Sequence, residues 1–102
     1  MVVIVFRSRL RAGVDMSALE ALGGRMYELA SAMPGFISYK DFVAADGENL
    51  SLIEFESEET LAAWRNQSEH RVAQAQGRDW VFSEYRIQVC APIRDYAFNL
   101  AS

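Results

Sequence analysis

The stretch that decides the fold runs from residue 36 to residue 56 and reads FISYKDFVAADGENLSLIEFE. Both of its ends are rich in β-branched and aromatic residues, which favour strands. Between them, residues 46–49 read Asp-Gly-Glu-Asn, a sequence typical of a tight turn. We therefore predict a β-hairpin, with strands over residues 36–45 and 50–56.

A helix is predicted on each side of this hairpin. From residue 15 to residue 33, apolar residues recur at steps of three and four, and Pro34-Gly35 ends the pattern. Either Asp15 or Ser17 could cap that helix. After the hairpin, Ser57 and two acidic residues predict a second helix, which is interrupted at residues 66–68 and resumes behind a cap at Ser68.

Strands are also predicted at residues 2–10 and 83–90, so the element order is β-α-β-β-α-β. This order predicts an α+β, ferredoxin-like fold, a four-stranded antiparallel sheet with both helices on one face. We expect one domain over residues 1–102, with a core over 2–90 and a tail over 91–102. The tail carries Tyr96, Phe98 and Leu100 at alternating positions, and it could be frayed or could add to a partner's surface.

Alternation along the strands assigns residues to the two faces of the sheet. The face under the helices is predicted to hold Ile4, Phe6, Ile37, Tyr39, Val43, Ile53, Phe55, Tyr85, Ile87 and Val89. The open face is predicted to hold Val3, Val5, Arg7, Arg9, Phe36, Phe42, Leu50, Leu52, Glu54, Glu56, Arg86 and Gln88. Because the second set exposes many apolar side chains, we predict a homodimer through the open face, with arginines of one copy meeting glutamates of the other.

Composition excludes several classes of function. Ten basic residues against fourteen acidic ones give a net charge of −4, which disfavours a nucleic-acid binder. One cysteine and one histidine allow no disulfide within the chain and nearly exclude a Cys/His metal site. Neither a signal peptide nor a membrane span is predicted, so we expect a soluble, cytoplasmic protein with no membrane partner.

Four segments together resemble the antibiotic biosynthesis monooxygenase (ABM) family over residues 2–90. They are MPGFISYK (33–40), FESEETLAAWRN (55–66), EHR (69–71) and YRIQV (85–89). The resemblance implies a dimeric α+β barrel. It also implies a cofactor-independent monooxygenase that oxidises a phenolic or dihydroquinone-like molecule with O2. The family includes haem-degrading members and members without known substrates, so fold alone does not settle the function.

Three residues near the helix break are candidates for the chemistry. His70 is the only side chain with an ordinary pKa near neutrality, and it could be a base, a haem ligand or an exposed helix residue. Trp64 could wall an aromatic substrate, anchor the core, or do both. Asn66 resembles a polar residue that the family places near its substrate, and it could equally be a helix cap.

Four further residues are candidates for substrate binding. Tyr39 and Tyr85 fall on the helix-facing side, where their hydroxyls need partners. Ser8 on the same side could leave room for a ligand. Arg86 resembles an arginine near the family's site, but alternation directs it to the open face, where it could serve the dimer.

The leading hypothesis is therefore a monooxygenase with no cofactor and a small aromatic substrate. A non-catalytic binding protein or stress-related dimer, and a haem-binding or haem-degrading protein, are the alternatives, because all three would use one apolar pocket.

Overall fold

The computed structural model describes residues 1–100 as a four-stranded sheet with helices on one face. The strands are β1 (Val2–Leu10), β2 (Phe36–Val43), β3 (Asn49–Phe55) and β4 (Phe82–Cys90). The helices are α1 (Met16–Ser31), α2 (Glu58–Arg65) and α3 (Ser68–Gln76), and a π-helical segment (Gly77–Val81) leads into β4. All strand pairs are antiparallel, in the order β2-β3-β1-β4. The predicted ferredoxin-like fold is confirmed.

Side-chain caps begin the helices. Asp15, rather than Ser17, caps α1. Ser57 caps α2 in a reciprocal capping box, because its hydroxyl accepts from the Thr60 backbone N–H at 3.1 Å and the Thr60 hydroxyl accepts from the Ser57 backbone N–H at 3.1 Å. Gln67, rather than the predicted Ser68, caps α3.

The core lies between the sheet and the first two helices. Phe55 is fully buried and Trp64 is 3% exposed. The remaining core residues are Val2, Ile4, Met26, Ala30, Ile53 and Leu61. Strands β1 and β3 therefore carry the floor of the core, α1 and α2 cover it, and α3 contributes no buried residue.

The assignment of faces in β2 was wrong at Phe36 and Ile37, whereas Val43 lies on the predicted side. Phe36 lies on the helix side, because it pairs with Phe55 and its ring packs edge-on against the Phe55 ring at 5.9 Å. A register shift between Phe36 and Ser38 explains the error, since one extra residue reverses the alternation of the strand. Ile37, in the bulge, and Val43, at the end of the strand, were predicted to be buried but are 45% and 71% exposed.

The helix-facing side of β4 was also predicted to be buried, and it is not. Tyr85, Ile87 and Val89 are 40%, 54% and 49% exposed. β4 is an edge strand, and the core residues of α1 and α2 lie over β1 and β3 instead. The exposed apolar surface continues into the described part of the tail, where Ile93, Tyr96, Phe98 and Leu100 are 86–89% exposed. Residues 101 and 102 of the predicted tail lie outside the described residues.

Two arginines of the open face, Arg7 and Arg9, bind carboxylates of their own chain. The Arg7 guanidinium donates two hydrogen bonds to Glu48, at 3.0 and 3.1 Å. Arg9 pairs with Asp46 at 2.9 Å and with Glu84 at 3.2 Å. The turn and the edge strand supply these partners, which alternation along one strand cannot reveal.

Candidate functional site

The junction of α2 and α3 brings Trp64 and His70 together. Their rings are stacked, with centroids 3.8 Å apart and planes at 11°. Trp64 belongs to the core, whereas His70 is half-buried at its edge. The stacked pair thus joins a rigid aromatic wall to a titratable ring.

Three polar contacts fix the start of α3 around this pair. The Gln67 side-chain oxygen accepts from the His70 backbone N–H at 2.7 Å. The His70 Nδ1 atom lies 3.0 Å from the Trp64 carbonyl oxygen. One turn further on, the Gln74 Nε2 atom donates to the Arg65 carbonyl at 3.0 Å. Side chains of α3 therefore contact the Trp64 and Arg65 carbonyls at the end of α2, and the Trp64 carbonyl also accepts from the Gln67 backbone N–H at 3.1 Å.

An ion pair ties the same helix to α1. The Arg25 guanidinium donates to both carboxylate oxygens of Glu69, at 2.8 and 3.0 Å, and it also contacts Glu28 at 3.0 Å. The bond to Arg25 lowers the pKa of Glu69, which keeps the carboxylate ionised below its usual range. Since Glu69 adjoins His70 in the chain, this clamp also sets the position of the histidine.

Burial lowers the pKa of His70, because a half-buried ring is poorly solvated when charged. The contact with the Trp64 carbonyl acts in the opposite direction and is the smaller influence. The ring is therefore neutral at pH 7, the state in which an imidazole can accept a proton.

The stacked pair offers one donor and one acceptor to a ligand. Within residues 1–100, neither the Trp64 Nε1 atom nor the His70 Nε2 atom has a hydrogen-bond partner. Neither atom is enclosed, since every enclosed side-chain nitrogen or oxygen in this part of the chain is hydrogen-bonded. A bound molecule could therefore meet an N–H donor at Trp64 and a second nitrogen at His70.

A second cluster lies on the helix side of β1 and β4. The rings of Phe6, Phe82 and Tyr85 pack with centroids 5.4–5.8 Å apart. Ser8 pairs with Tyr85 across the strands and is only 5% exposed. Its hydroxyl has no hydrogen-bond partner among the described residues, and it is not enclosed.

The two clusters are linked through the core. Trp64 and Ile4 belong to the same core cluster, and Phe6 follows Ile4 on the same face of β1. Two residues of a strand span about 7 Å. A planar ligand lying over β1 could thus reach from the stacked pair to the aromatic cluster.

Other predicted site residues lie elsewhere. Asn66 is the exposed C-cap residue of α2. Arg86 pairs with Arg7 on the open face, so it lies on the side of the sheet opposite Ser8 and Tyr85, as alternation indicated. The structure does not bring either residue into the stacked pair or the aromatic cluster.

Tyr39 is a separate case. Its ring packs edge-on against Tyr27 at 5.9 Å, and the Ser51 side chain lies close to its hydroxyl. Burial, followed by the nearby Asp41 charge, raises the pKa of Tyr39. The hydroxyl therefore stays protonated at neutral pH.

Two depressions lie on the open face rather than beside Trp64. The larger, of about 420 Å³, is lined by Val5, Arg7, Phe42, Val43, Ala44, Glu48 and Leu50. The smaller, of about 240 Å³, is lined by Arg7, Ser8, Glu48, Glu84, Tyr85 and Arg86.

Sequence reasoning missed Phe6, Phe82, Gln67 and Gln74 as parts of the site. The spacing of Gln74, four residues after His70, could have identified it, because such residues share a helix face. Contact between Phe6 and Phe82 depends on strand pairing and had no local signal.

The described residues contain neither a cluster of metal ligands nor a membrane-spanning helix. Within residues 1–100, no three side chains of the His, Cys, Asp or Glu type come together as metal ligands. None of the helices in this range is long and apolar enough to cross a membrane.

Comparison with known proteins identifies relatives of this fold. The chain is 30% identical over 75 residues to the uncharacterized protein YqjZ of Bacillus subtilis (strain 168), a match that covers 74% of this chain and 66% of that protein, just under two thirds of its length. The structure of Rv0793 from Mycobacterium tuberculosis superposes with a TM-score of 0.81 at 26% identity, covering 94% of this chain and 98% of the other.

SnoaB, a cofactor-independent oxygenase from Streptomyces nogalater, has the same fold at 12% identity, with a TM-score of 0.76 over 92% of this chain and 94% of its own. The family model described as antibiotic biosynthesis monooxygenase matches residues 1–76. This chain therefore belongs to the antibiotic biosynthesis monooxygenase family, as the resemblance of its motifs predicted.

Proposed function

We propose that the protein is a cofactor-independent monooxygenase that oxidises a phenolic or dihydroquinone-like molecule with O2. The observation that carries the proposal is the stacked Trp64–His70 pair, which holds an unpartnered N–H donor and a neutral histidine at the edge of an aromatic surface. Membership of the family and the fold shared with an oxygenase support the same reaction class.

The proposed reaction needs few protein groups. His70 accepts the phenolic proton, and the phenolate then reduces O2 and combines with it to give a hydroperoxide. Loss of water from that intermediate leaves a quinone, so one oxygen atom enters the product and the other leaves as water. The substrate supplies all four electrons. Trp64 supports one face of the His70 ring and supplies an N–H that can donate to a ligand oxygen.

The substrate class follows from the surface around the pair. Phe6, Phe82 and Tyr85 offer aromatic rings to a planar molecule, and the unpartnered hydroxyl of Ser8 offers one polar contact. We therefore expect a fused or extended aromatic substrate that lies along β1, with its acidic hydroxyl at His70.

Oxygen uptake with a panel of phenols and dihydroquinones tests the proposal. Replacement of His70 by Ala should lower kcat by about 10²–10⁴-fold, the usual contribution of a positioned general base. Val72→Ala is the matched control, because Val72 is an exposed residue of the same helix. The acid limb of the pH profile should lie below pH 6.5, since burial lowers the pKa of His70.

Three other results would overturn this assignment. Uptake no faster than autoxidation across the panel would remove the monooxygenase. A rise in Tm with ligands but no turnover would favour a non-catalytic binding protein. A Soret shift on titration with haem that is lost in His70→Ala would favour a haem protein.

We also propose that two copies pair through the open face. Val5, Leu50 and Leu52 lie side by side on this face, and Arg86 has no carboxylate partner within residues 1–100. A standard interface would cover about 800 Å² of each copy.

Analytical ultracentrifugation tests this pairing. Leu52→Glu should shift the protein toward the monomer, because it buries a charge at the interface, whereas Val72→Glu on the opposite side should not. Equal masses for Leu52→Glu and the unmodified protein would contradict pairing through this face.

The exposed, unpaired Cys90 thiol suits a reducing compartment, and we place the protein in the cytoplasm.

A further inference from the structure

We infer that His70 is held as the tautomer that carries its proton on Nδ1, so that Nε2 is the atom that takes a proton from the bound ligand. The role of Nε2 in catalysis rests on the proposed function. The assignment of the tautomer rests on geometry alone.

The two contacts at Nδ1 require opposite protonation states of that atom. The Trp64 carbonyl oxygen, at 3.0 Å, can only accept a hydrogen bond and therefore requires a proton on Nδ1. The Gln74 Nε2 atom, at 3.4 Å, can only donate and would require a lone pair there. The orientation of the Gln74 amide is fixed, because the same nitrogen faces the Arg65 carbonyl at 3.0 Å.

The lengths of the two contacts show which of them sets the protonation state of Nδ1. A separation of 3.0 Å is the usual length of a hydrogen bond from nitrogen to oxygen, whereas 3.4 Å lies beyond the usual range. A lone pair on Nδ1 would face the Trp64 oxygen at 3.0 Å and repel it. The Nδ1–H tautomer therefore satisfies the stronger contact, and the Gln74 amide keeps its bond to Arg65.

Nε2 is then left with a lone pair and no protein partner within residues 1–100. It is not enclosed, so a ligand can approach it in the plane of the ring, while Trp64 covers one face. When Nε2 takes a proton, Nδ1–H stays bonded to the carbonyl and the indole face lies against the imidazolium, an arrangement that favours the charged ring. The same contacts that hold the ring thus also support its charged state.

Nitrogen-15 NMR reads the tautomer directly. His70 is the only histidine of the chain, so a protein labelled at histidine and freed of any affinity tag gives one pair of ring signals. Above the pKa of the ring, Nδ1 should show the shift of a protonated nitrogen and Nε2 that of an unprotonated one. The reverse pattern would overturn the inference. Gln74→Met should leave the pattern unchanged, and a switch of tautomer in this variant would contradict our ranking of the two contacts.

Two substitutions separate the roles of the ring nitrogens. In His70→Asn the amide N–H can replace Nδ1–H at the Trp64 carbonyl, but nothing replaces Nε2. In His70→Gln the amide reaches toward the position of Nε2 and leaves the Trp64 carbonyl with the Gln67 backbone N–H, at 3.1 Å, as its remaining donor. We expect the Tm of His70→Asn to lie closer to that of the unmodified protein than the Tm of His70→Gln. The kcat of His70→Asn should be about 100-fold or more below that of the unmodified protein.

The outcomes distinguish this inference from the proposed function. Absence of oxygen uptake in the unmodified protein would remove the monooxygenase, while the NMR pattern would still decide the tautomer. Activity of His70→Asn close to that of the unmodified protein would remove Nε2 as the proton acceptor, even if Nδ1 carries the proton. A lower Tm for Asn than for Gln would contradict the structural role of Nδ1.

Discussion

Helices α2 and α3 are consecutive in the chain, yet they are attached to the molecule in different ways. α2 buries Leu61 and Trp64 and begins with a capping box. α3 buries no residue, and side-chain contacts to Trp64, Arg65 and Arg25 hold it in place. Packing therefore fixes the aromatic wall of the site, while polar contacts fix its titratable ring.

The largest expected effect separates the two partners of the stack. Trp64→Ala should destabilise the protein by about 3–5 kcal/mol, because it removes a buried aromatic ring. His70→Ala should cost only about 1–2 kcal/mol, for one hydrogen bond and one ring contact. Urea unfolding followed by circular dichroism measures both. Similar losses in the two variants would show that α3 is packed as firmly as α2.

A substitution at Gly35 should disturb the start of α2, although Gly35 lies outside that helix. This residue has φ +82, and an added Cβ would lie 2.6 Å from side-chain atoms of Thr60, the partner of Ser57 in the capping box. Gly35→Ala should cost about 1–3 kcal/mol for the backbone alone, with the collision in addition. Gly47→Ala is the control, because Gly47 has φ +89 but faces open space. Equal melting temperatures for the two variants would contradict the collision.

The caps of the two helices allow a matched comparison. Ser57→Ala should reduce global stability by about 0.5–2 kcal/mol, as is usual for the loss of an N-cap. Gln67→Ala should mainly speed amide hydrogen exchange within α3, because that helix has no fully buried residue. If Gln67→Ala instead lowered global stability as much as Ser57→Ala, α3 would unfold together with the core.

Acid should weaken the protein through His70. Its pKa is lower in the folded state than in the unfolded chain, so the unfolded chain binds more protons between the two values. Stability should therefore decline as the pH falls below about 6.5 and level off beneath the folded-state pKa. Subtracting the same profile for His70→Asn isolates this contribution. An unchanged difference across that range would mean that the ring is not desolvated.

The smallest effect is expected at the ion pair between Arg25 and Glu69. Both side chains are 49% exposed, so the contribution should be small and should fall with added salt. Glu69→Gln should raise amide exchange in α3 at low salt and have little effect at high salt. Glu20→Gln, at an exposed residue of α1, is the control. The ion pair should also be lost as the pH falls through the lowered pKa of Glu69.

Much of the fold could be predicted because strands and helices have different periods. Alternation predicted the parity of β1 and β3. Together with the helical period and the turn residues, it also predicted the hairpin and the element order. The errors arose where one residue or one neighbour changes the result. The bulge after Phe36 reverses parity without a signal in the sequence, and exposure of β4 depends on where the helices lie over the sheet.

The candidate site was only partly predictable for a similar reason. Trp64 and His70 are six residues apart, which would place them about 120° apart around a continuous helix, too far for their rings to stack. The break between α2 and α3 turns the second segment and brings the rings into contact. Composition singled out the histidine, but its partner atoms depend on that turn. Asn66 was chosen by resemblance, and the structure places it at the break itself.

The absence of buried residues from α3 also bears on how this enzyme family could diversify. Substitutions away from a core usually change stability by less than about 0.5 kcal/mol. The residues that surround His70 on this helix can therefore be exchanged at little risk to the fold, while Trp64 stays fixed. A library confined to exposed positions of α3, such as Ser68 and Arg71, should therefore vary the surface around His70 while the chain keeps its fold.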